Sequence, residues 1–145
     1  KVFSEGKTIV YNNPLAFPRA FFVNTTECLP GKEMVIRKMF YSQTNLRLRA
    51  FIEEKDGCSN LPTNWSEGKV TKITYSENNI SVETENPDEG FLVFVDSYYP
   101  TWKAKIYNYN TNMTKMAKIL LTDFAFRGIR VPKGKNTITF SVNLL

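Results

Sequence analysis

The sequence of 145 residues contains no histidine and only two cysteines, which excludes several kinds of active site. Catalytic systems of the Ser-His-Asp or Cys-His type use an imidazole as the general base, so neither can be built here. Zinc sites draw mainly on histidine and on closely spaced cysteines, and neither Cys28 nor Cys58 belongs to a C-x-x-C motif. We therefore expect neither a metal nor a cofactor in this chain.

Long apolar runs and phosphate-binding glycine loops are also missing. No apolar run approaches the roughly 20 residues that a membrane helix requires. No glycine-rich loop follows a strand and opens a helix, which excludes the common phosphate-cradling folds. The chain begins at Lys1 without a methionine or a signal peptide. We therefore expect a processed or excised piece of a larger protein that forms one domain over residues 1–145.

The carboxylates are spaced in a way that does not favour catalysis. General acid–base chemistry needs two carboxylates close together. Glu53 and Glu54 are adjacent, which would place them on opposite faces of a strand. Glu83 and Glu85 would share one face, where exposed carboxylates are normally just solvated. We therefore expect no catalytic residue within this fragment.

Cys28 and Cys58 have two interpretations that the sequence does not separate. As a disulfide they would close a loop and constrain the unfolded chain by about 3–4 kcal/mol. As free thiols they would behave as small, buried apolar side chains.

The positive charge is concentrated in the last third of the chain. Residues 101–145 carry eight basic side chains and one acidic side chain, whereas the whole chain has a net charge of +5. Such a segment could present a positive surface to phosphate-bearing polymers or membrane head groups. The alternative, which the pattern favours, is that these lysines and arginines lie on solvated strand faces. No zinc finger, recognition helix or RNP-type strand is present, so we expect no nucleic-acid partner.

The stretch from Phe91 to Lys103 (FLVFVDSYYPTWK) organises the rest of the sequence. Its first five residues are all apolar, which predicts a strand buried on both faces. Pro100 prevents this strand from simply continuing. Trp102, Ala104 and Ile106 then alternate with polar or larger residues, which predicts a second strand with one face inward.

The remaining sequence predicts short strands separated by turn signals. The predicted strands cover residues 8–11, 19–23, 46–53, 69–76, 80–85, 117–121, 128–131 and 137–142. Residues 54–68 and 108–114 are predicted to be loops. Lys32–Tyr41 is the only good helix, because Val35, Ile36, Met39 and Phe40 share one face. The pattern favours a mainly β fold: an antiparallel two-sheet β-sandwich, jelly-roll or galactose-binding-like, with one short helix near residues 32–41.

Three blocks of the sequence resemble the YfhO-type family of bacterial membrane proteins. Residues 11–23 (YNNPLAFPRAFFV) are similar to that family's segment YENPNALPRAFLV. Residues 93–103 (VFVDSYYPTWK) resemble its signature LVLSDTYYPGWKA, and residues 125–135 (AFRGIRVPKGK) resemble its ending FRGVVVPAGKH. The blocks occur in the family's order and span nearly the whole chain. Thr101 replaces a glycine of the pattern, and Asn136 stands where histidine is common.

The resemblance implies that this chain is the C-terminal extracytoplasmic domain of a long polytopic protein, anchored through transmembrane segments outside it. Members look like membrane glycosyltransferases that use lipid-linked sugars, some of them decorating lipoteichoic acid, with their catalytic carboxylates in the membrane part. The fragment would then be a non-catalytic accessory domain. It would position a glycan or teichoic-acid-type acceptor, or buttress the membrane domain, with the rest of its own chain as a partner. The alternatives are a free-standing carbohydrate-binding module and a structural or protein-interaction domain of a surface protein.

The candidate ligand-binding residues lie around the turn at Pro100. Aromatic rings stack on sugar rings, and a neighbouring polar set would supply hydrogen bonds. The candidates are Asp96, Tyr98, Tyr99, Trp102 and Arg127. In the alternative interpretation the aromatic cluster closes the end of the core. Arg127 would then pair with Asp96 or Asp123, and Arg19 with a carboxylate at a strand end.

Overall fold

The computed structural model describes residues 2–142, and these residues form short strands with a single helix among them. No helix in this range is both long enough and apolar enough to cross a membrane. In chain order the elements are β1 (Phe3–Glu5), β2 (Thr8–Val10), β3 (Ala20–Val23), β4 (Thr25–Leu29), α1 (Lys32–Tyr41), β5 (Arg49–Glu53), β6 (Lys69–Tyr75), β7 (Asn79–Asn86), β8 (Gly90–Phe94), β9 (Trp102–Asn108), β10 (Met113–Ala117), β11 (Leu120–Thr122), β12 (Phe126–Val131) and β13 (Gly134–Val142).

Most of the strands belong to two large sheets, and the mainly β, sandwich-like fold predicted from the sequence is confirmed. One sheet has five antiparallel strands in the order β10-β9-β13-β7-β6. The other has six strands in the order β3-β8-β12-β11-β5-β4. Apolar side chains of β7, β9 and β13 meet those of β3, β8 and β12, so the main core lies between the two sheets.

The six-stranded sheet curls on itself. Its edge strands β3 and β4 stand at opposite ends of the strand order, although only Asn24 separates them in the chain. Consecutive Cα atoms are only about 3.8 Å apart, so the two edges must lie close together. The curl encloses a second core, built from side chains that point away from the five-stranded sheet. This second core contains Phe21, Val23, Ala50, Ile52, Trp65, Phe91 and Val93.

Strand β8 is buried on both faces, as the apolar run predicted. Leu92 and Phe94 pack in the main core against the five-stranded sheet. Phe91 and Val93 point the other way, into the core that the curled sheet encloses. The run is wholly apolar because this strand separates two cores.

Strand β9 follows β8 closely in the chain but lies in the other sheet. Its inward side chains are Ala104 and Ile106, with Trp102 half-buried at its start, in agreement with the predicted alternation. The connection between the two strands must therefore step from one layer of the sandwich to the other. This step occurs at the aromatic turn around Pro100.

The helix spans the predicted residues and packs against β4 and β5 at one edge of the six-stranded sheet. It connects β4 to β5, which pair in parallel and depart from the wholly antiparallel arrangement that was expected. Val35 is buried against Leu29 and Phe51. Phe40, predicted to lie on the buried face, is 72% exposed. Phe51 alternates along β5 with the buried residues Ala50 and Ile52, and it is buried as well because the helix covers its face of the strand.

Residues 117–121, predicted to form one strand, are instead divided between the two sheets. β10 ends at Ala117 in the five-stranded sheet, and β11 begins at Leu120 in the six-stranded sheet. Lys118 and Ile119 cross from one layer to the other. We call residues 117–121 the crossover segment.

The predicted loop at residues 108–114 is a shorter turn between β9 and β10. The buried Asn108 side chain accepts hydrogen bonds from the backbone N–H groups of Asn110 and Thr111, each at 3.0 Å. It also donates to Asn136 Oδ1 at 2.8 Å, within the last strand. These side-chain bonds replace backbone partners and allow β10 to begin already at Met113.

The long loop between β5 and β6 is tied to the edge of the curled sheet. Cys28 of β4 and Cys58 of the loop form a disulfide, with their Cα atoms 5.9 Å apart. Trp65 of the same loop donates its indole N–H to Thr26 Oγ1 at 2.9 Å. The loop therefore closes one side of the second core.

The first two strands stand apart from the rest of the fold. β1 and β2 pair only with each other, and all six of their residues are exposed. Phe3, Ile9 and Val10 are among the large apolar side chains that this hairpin presents to solvent. A lone two-stranded sheet has little stability of its own, so a partner surface would add to it.

Candidate functional site

The five candidate residues lie at one end of the sandwich, where β8 ends and where β9 and β12 begin. We call residues 96–102 together with Arg127 the aromatic corner. Its turn is held by hydrogen bonds that backbone N–H groups donate. Ser97 N–H donates to Asp96 Oδ1 at 2.8 Å, and Tyr98 N–H donates to the carbonyl of Ala125 at 2.8 Å. The latter bond attaches the turn to the start of β12.

Arg127 is the centre of the aromatic corner, and only 2% of it is exposed. Its guanidinium carbon lies 3.9 Å from the centroid of the Trp102 ring, so the cation stacks on the indole face. Nε–H donates to the carbonyl of Ser97 at 3.0 Å. Nη2 lies 3.8 Å from Asp96 Oδ2, which completes a packed unit of Asp96, Trp102 and Arg127.

Burial and the neighbouring carboxylate have opposite effects on the pKa of Arg127. Burial lowers the pKa of the guanidinium below its ordinary value, the Asp96 carboxylate raises it, and the nearby Arg19 cation lowers it further. An arginine nevertheless remains protonated in proteins. Within residues 2–142, the buried Nη1 atom has no hydrogen-bond partner. The faces of Trp102, Phe94 and Phe140 around the guanidinium supply the remaining attraction.

Arg127 forms one of its two expected ion pairs, whereas Arg19 does not form its expected pair among the described residues. Of the two predicted partners of Arg127, the structure pairs it with Asp96 and not with Asp123. Arg19 does not pair with a strand-end carboxylate in the described residues. It donates to the carbonyl of Val95 at 3.0 Å and to the Tyr75 hydroxyl at 3.1 Å. Arg19 thus links the ends of β8 and β6.

The predicted site residues separate into two groups. Asp96 and Arg127 belong to the packed unit, which also covers one face of Trp102. Tyr98, Tyr99 and Trp102 instead line a surface cleft of about 230 Å³. Tyr99 is 60% exposed, so its ring is free for stacking. We call this cavity the Tyr99 cleft.

Two cations that were not among the predicted site residues also line the Tyr99 cleft. Lys103 follows Trp102 directly, so its place beside the aromatic residues was visible in the sequence. Lys118 belongs to the crossover segment, and its amine also lies 3.2 Å from Glu54 Oε2. No local pattern marks Lys118, because the division of residues 117–121 between two sheets is a property of the tertiary fold.

Asp123, in the turn between β11 and β12, is a buried carboxyl that forms no ion pair among residues 2–142. It is 3% exposed and accepts a hydrogen bond from Phe51 N–H at 2.8 Å. Burial raises its pKa from 3.8 to about 7, and the Phe51 bond opposes that rise. Its own N–H donates to the Phe51 carbonyl, so this residue fastens β11 to β5.

The described residues contain no group of three or more Cys, Asp or Glu side chains arranged to hold a metal ion. No family model, no curated protein and no solved structure matches the chain. The residues that line the Tyr99 cleft offer aromatic faces, amines and hydroxyl groups.

Proposed function

We propose that this chain is a non-catalytic accessory domain that recognises an anionic glycan through the Tyr99 cleft. The observation that carries the proposal is the combination in one cleft of an exposed tyrosine, a half-buried tryptophan and two lysine amines. Aromatic rings bind the apolar faces of sugars, and amines attract phosphate or carboxylate groups. A neutral sugar would use only the first of these two features.

The sequence resemblance suggests which kind of parent protein this domain belongs to. In that setting the domain sits on the extracytoplasmic face of the cell membrane, anchored by transmembrane segments elsewhere in its chain. It positions a teichoic-acid-type acceptor for a glycosyltransferase-like membrane part. Seven of the eight basic residues in positions 101–145 are exposed, and this supports the choice of ligand because their positive charge attracts a polymer of phosphodiesters.

A free-standing carbohydrate-binding module is a weaker candidate. Such modules rely on aromatic rings that present a full flat face to the sugar. Here Arg127 occupies one face of the Trp102 ring, and the ring packs against the main core. Only Tyr98 and Tyr99 are left to offer larger aromatic surfaces in the cleft.

A buttressing role is the second candidate, and the N-terminal hairpin favours it. Phe3, Ile9 and Val10 of β1 and β2 are exposed, as are Tyr11 and Leu15 after them. Grouped exposed apolar side chains of this kind are typical of surfaces that dock onto another protein segment. This role and glycan recognition use different parts of the chain, so one molecule can carry out both.

The test is calorimetric titration of the purified chain with a short glycerol-phosphate oligomer and with a neutral glycan. We expect saturable binding of the anionic oligomer, weakened by added salt because exposed amines contribute to it. Tyr99→Ala should weaken binding roughly three- to tenfold, the loss expected for one stacked ring. Trp102→Ala is a poor test, because it would also remove the partner of Arg127.

Tyr41→Ala is the matched control. Tyr41 is an exposed tyrosine at the end of the helix and does not line the cleft. It should leave the affinity unchanged. Equal losses in both variants, or no saturable binding of the anionic oligomer by the wild-type chain, would refute the proposed function.

A further inference from the structure

The Tyr99 cleft is one of four adjoining clefts that follow the crossover segment. The neighbouring cleft, of about 370 Å³, shares Tyr98, Lys118 and Ile119 with it. The next, of about 530 Å³, shares Lys118 and Leu120 with that neighbour. The clefts therefore meet at shared walls.

The fourth cleft extends this series away from the aromatic corner. It has a volume of about 470 Å³ and shares Ala117 and Arg130 with the third cleft. Met113, Lys115 and Lys133 line this cleft and none of the other three. The series thus runs from the start of β9, past the crossover segment, to the turn before β13. We call the four clefts together the crossover groove.

The balance of charge changes along the crossover groove. At the Tyr99 end the charged lining residues are the cations Lys103 and Lys118. Lys118 also lines the two middle clefts, but there it stands beside Glu54 and Asp56, whose carboxylates can accept hydrogen bonds from hydroxyl groups. At the far end three cations outnumber one carboxylate: Lys115, Arg130, Lys133 and Glu89. Two mainly cationic ends with a mixed middle fit a chain whose anionic groups are separated by hydroxyl-bearing units.

We propose that the crossover groove binds a linear anionic glycan over several repeat units, with one end of the bound stretch in the Tyr99 cleft. This inference rests on the proposed function and adds the class of ligand: an extended polymer and not a single terminal sugar. A ligand confined to the Tyr99 cleft would contact only Lys103 and Lys118 among the four end amines. A longer chain reaches Lys115 and Lys133 as well.

Chain length is the variable that tests the inference. The affinity of the wild-type chain is measured for a glycerol-phosphate dimer and for an octamer, and each value is divided by the number of repeat units. This division corrects for the larger number of positions at which a long ligand can occupy one small site. We expect the affinity per repeat unit to remain at least about tenfold higher for the octamer than for the dimer, since a second set of contacts acts within one bound chain.

The far end of the groove is tested with the double variant Lys115→Ala/Lys133→Ala. Both side chains are exposed, so the fold should tolerate their loss. We expect the octamer to lose most of its advantage while the dimer binds as before. The control Lys72→Ala/Lys105→Ala removes the same charge from exposed positions outside the four clefts. It should preserve the advantage of the octamer.

The outcomes separate this inference from the function on which it rests. If the dimer binds and the octamer gains nothing per repeat unit, the extended groove is wrong and the Tyr99 cleft stands alone. If the control variant reduces the octamer's advantage as much as the test variant does, the effect is general electrostatics and the groove is again wrong. If neither oligomer binds, the proposed function itself fails.

Discussion

Replacing Asp123 by asparagine should remove the pH dependence that this buried carboxyl imposes on the stability of the fold. Asparagine keeps an oxygen that can accept the Phe51 N–H bond of 2.8 Å, but it carries no charge at any pH. The residue has a positive φ of 49°, a conformation that asparagine tolerates well. The variant therefore changes the ionisation and little else.

The magnitude follows from the raised pKa. Burial raises the pKa of Asp123 from 3.8 to about 7. Between these values the folded protein keeps a proton that the unfolded chain has released. The stability from this group is therefore complete at low pH and is lost as the pH rises towards 7. Each pH unit in that window corresponds to about 1.4 kcal/mol, so the total loss is about 4 kcal/mol.

The assay is urea denaturation of the wild-type chain and of Asp123→Asn at several pH values between about 4 and 8. The stability of the variant relative to wild type should increase by about 4 kcal/mol across this range. Asp123→Ala serves as the matched comparison. It should show the same slope with pH, displaced to lower stability by about 1–3 kcal/mol because the Phe51 N–H loses its acceptor.

A flat difference between wild type and Asp123→Asn across this pH range would refute the reasoning. It would mean that the folded state solvates the carboxylate as well as water does. A slope in Asp123→Asn that is absent from Asp123→Ala would also contradict it, because both variants remove the same ionisable group.

Three further predictions concern the fold and the aromatic corner. Replacing Cys28 and Cys58 by serine should lower the free energy of unfolding by about 3–4 kcal/mol, measured by urea denaturation; an unchanged midpoint would contradict this. Gly128→Ala should destabilise by roughly 3 kcal/mol or more, because its Cβ would lie 2.6 Å from a buried ring carbon; Gly31→Ala, with open space around it, should cost far less in the same assay. Arg127→Lys should lose about 2–4 kcal/mol despite keeping the charge, since lysine lacks the planar stacking group; near-wild-type thermal unfolding would show that the stack is dispensable.

The periodic parts of the fold could be predicted from the sequence because their patterns reflect local burial. The helix Lys32–Tyr41 and the inward alternation of β9 both follow from the spacing of apolar residues. The wholly apolar run of β8 predicted burial on both faces, and the two cores on either side of it explain why.

The curl of the six-stranded sheet and the parallel pair of β4 and β5 could not be predicted in the same way. They depend on which strands pair over long separations, and side-chain alternation along one strand is identical for either direction of its neighbour. The burial of Phe51 under the helix has the same origin. The residues around Phe51 alternate in the way that is typical of a strand with one solvated face, so the sequence does not indicate that the helix covers this face.

The candidate site was partly visible in the sequence. Asp96, Trp102 and Arg127 do meet in space, and the first two lie close together in the chain. Trp102 belongs both to this packed unit and to the surface cleft that Tyr99 lines, because Arg127 covers one face of its ring, and the sequence does not indicate which face is covered. Lys118 enters the cleft only because the crossover segment passes beside it.

The most direct test of the account is NMR mapping of backbone amide shifts while the chain is titrated with a short glycerol-phosphate oligomer. We expect saturable shifts confined to residues 98–103 and 117–119, around the Tyr99 cleft, and no such shifts with a neutral oligomer of the same length. Absence of saturable shifts would contradict it. So would shifts centred on the outer face of the five-stranded sheet around Tyr107, because that face lies outside the cleft.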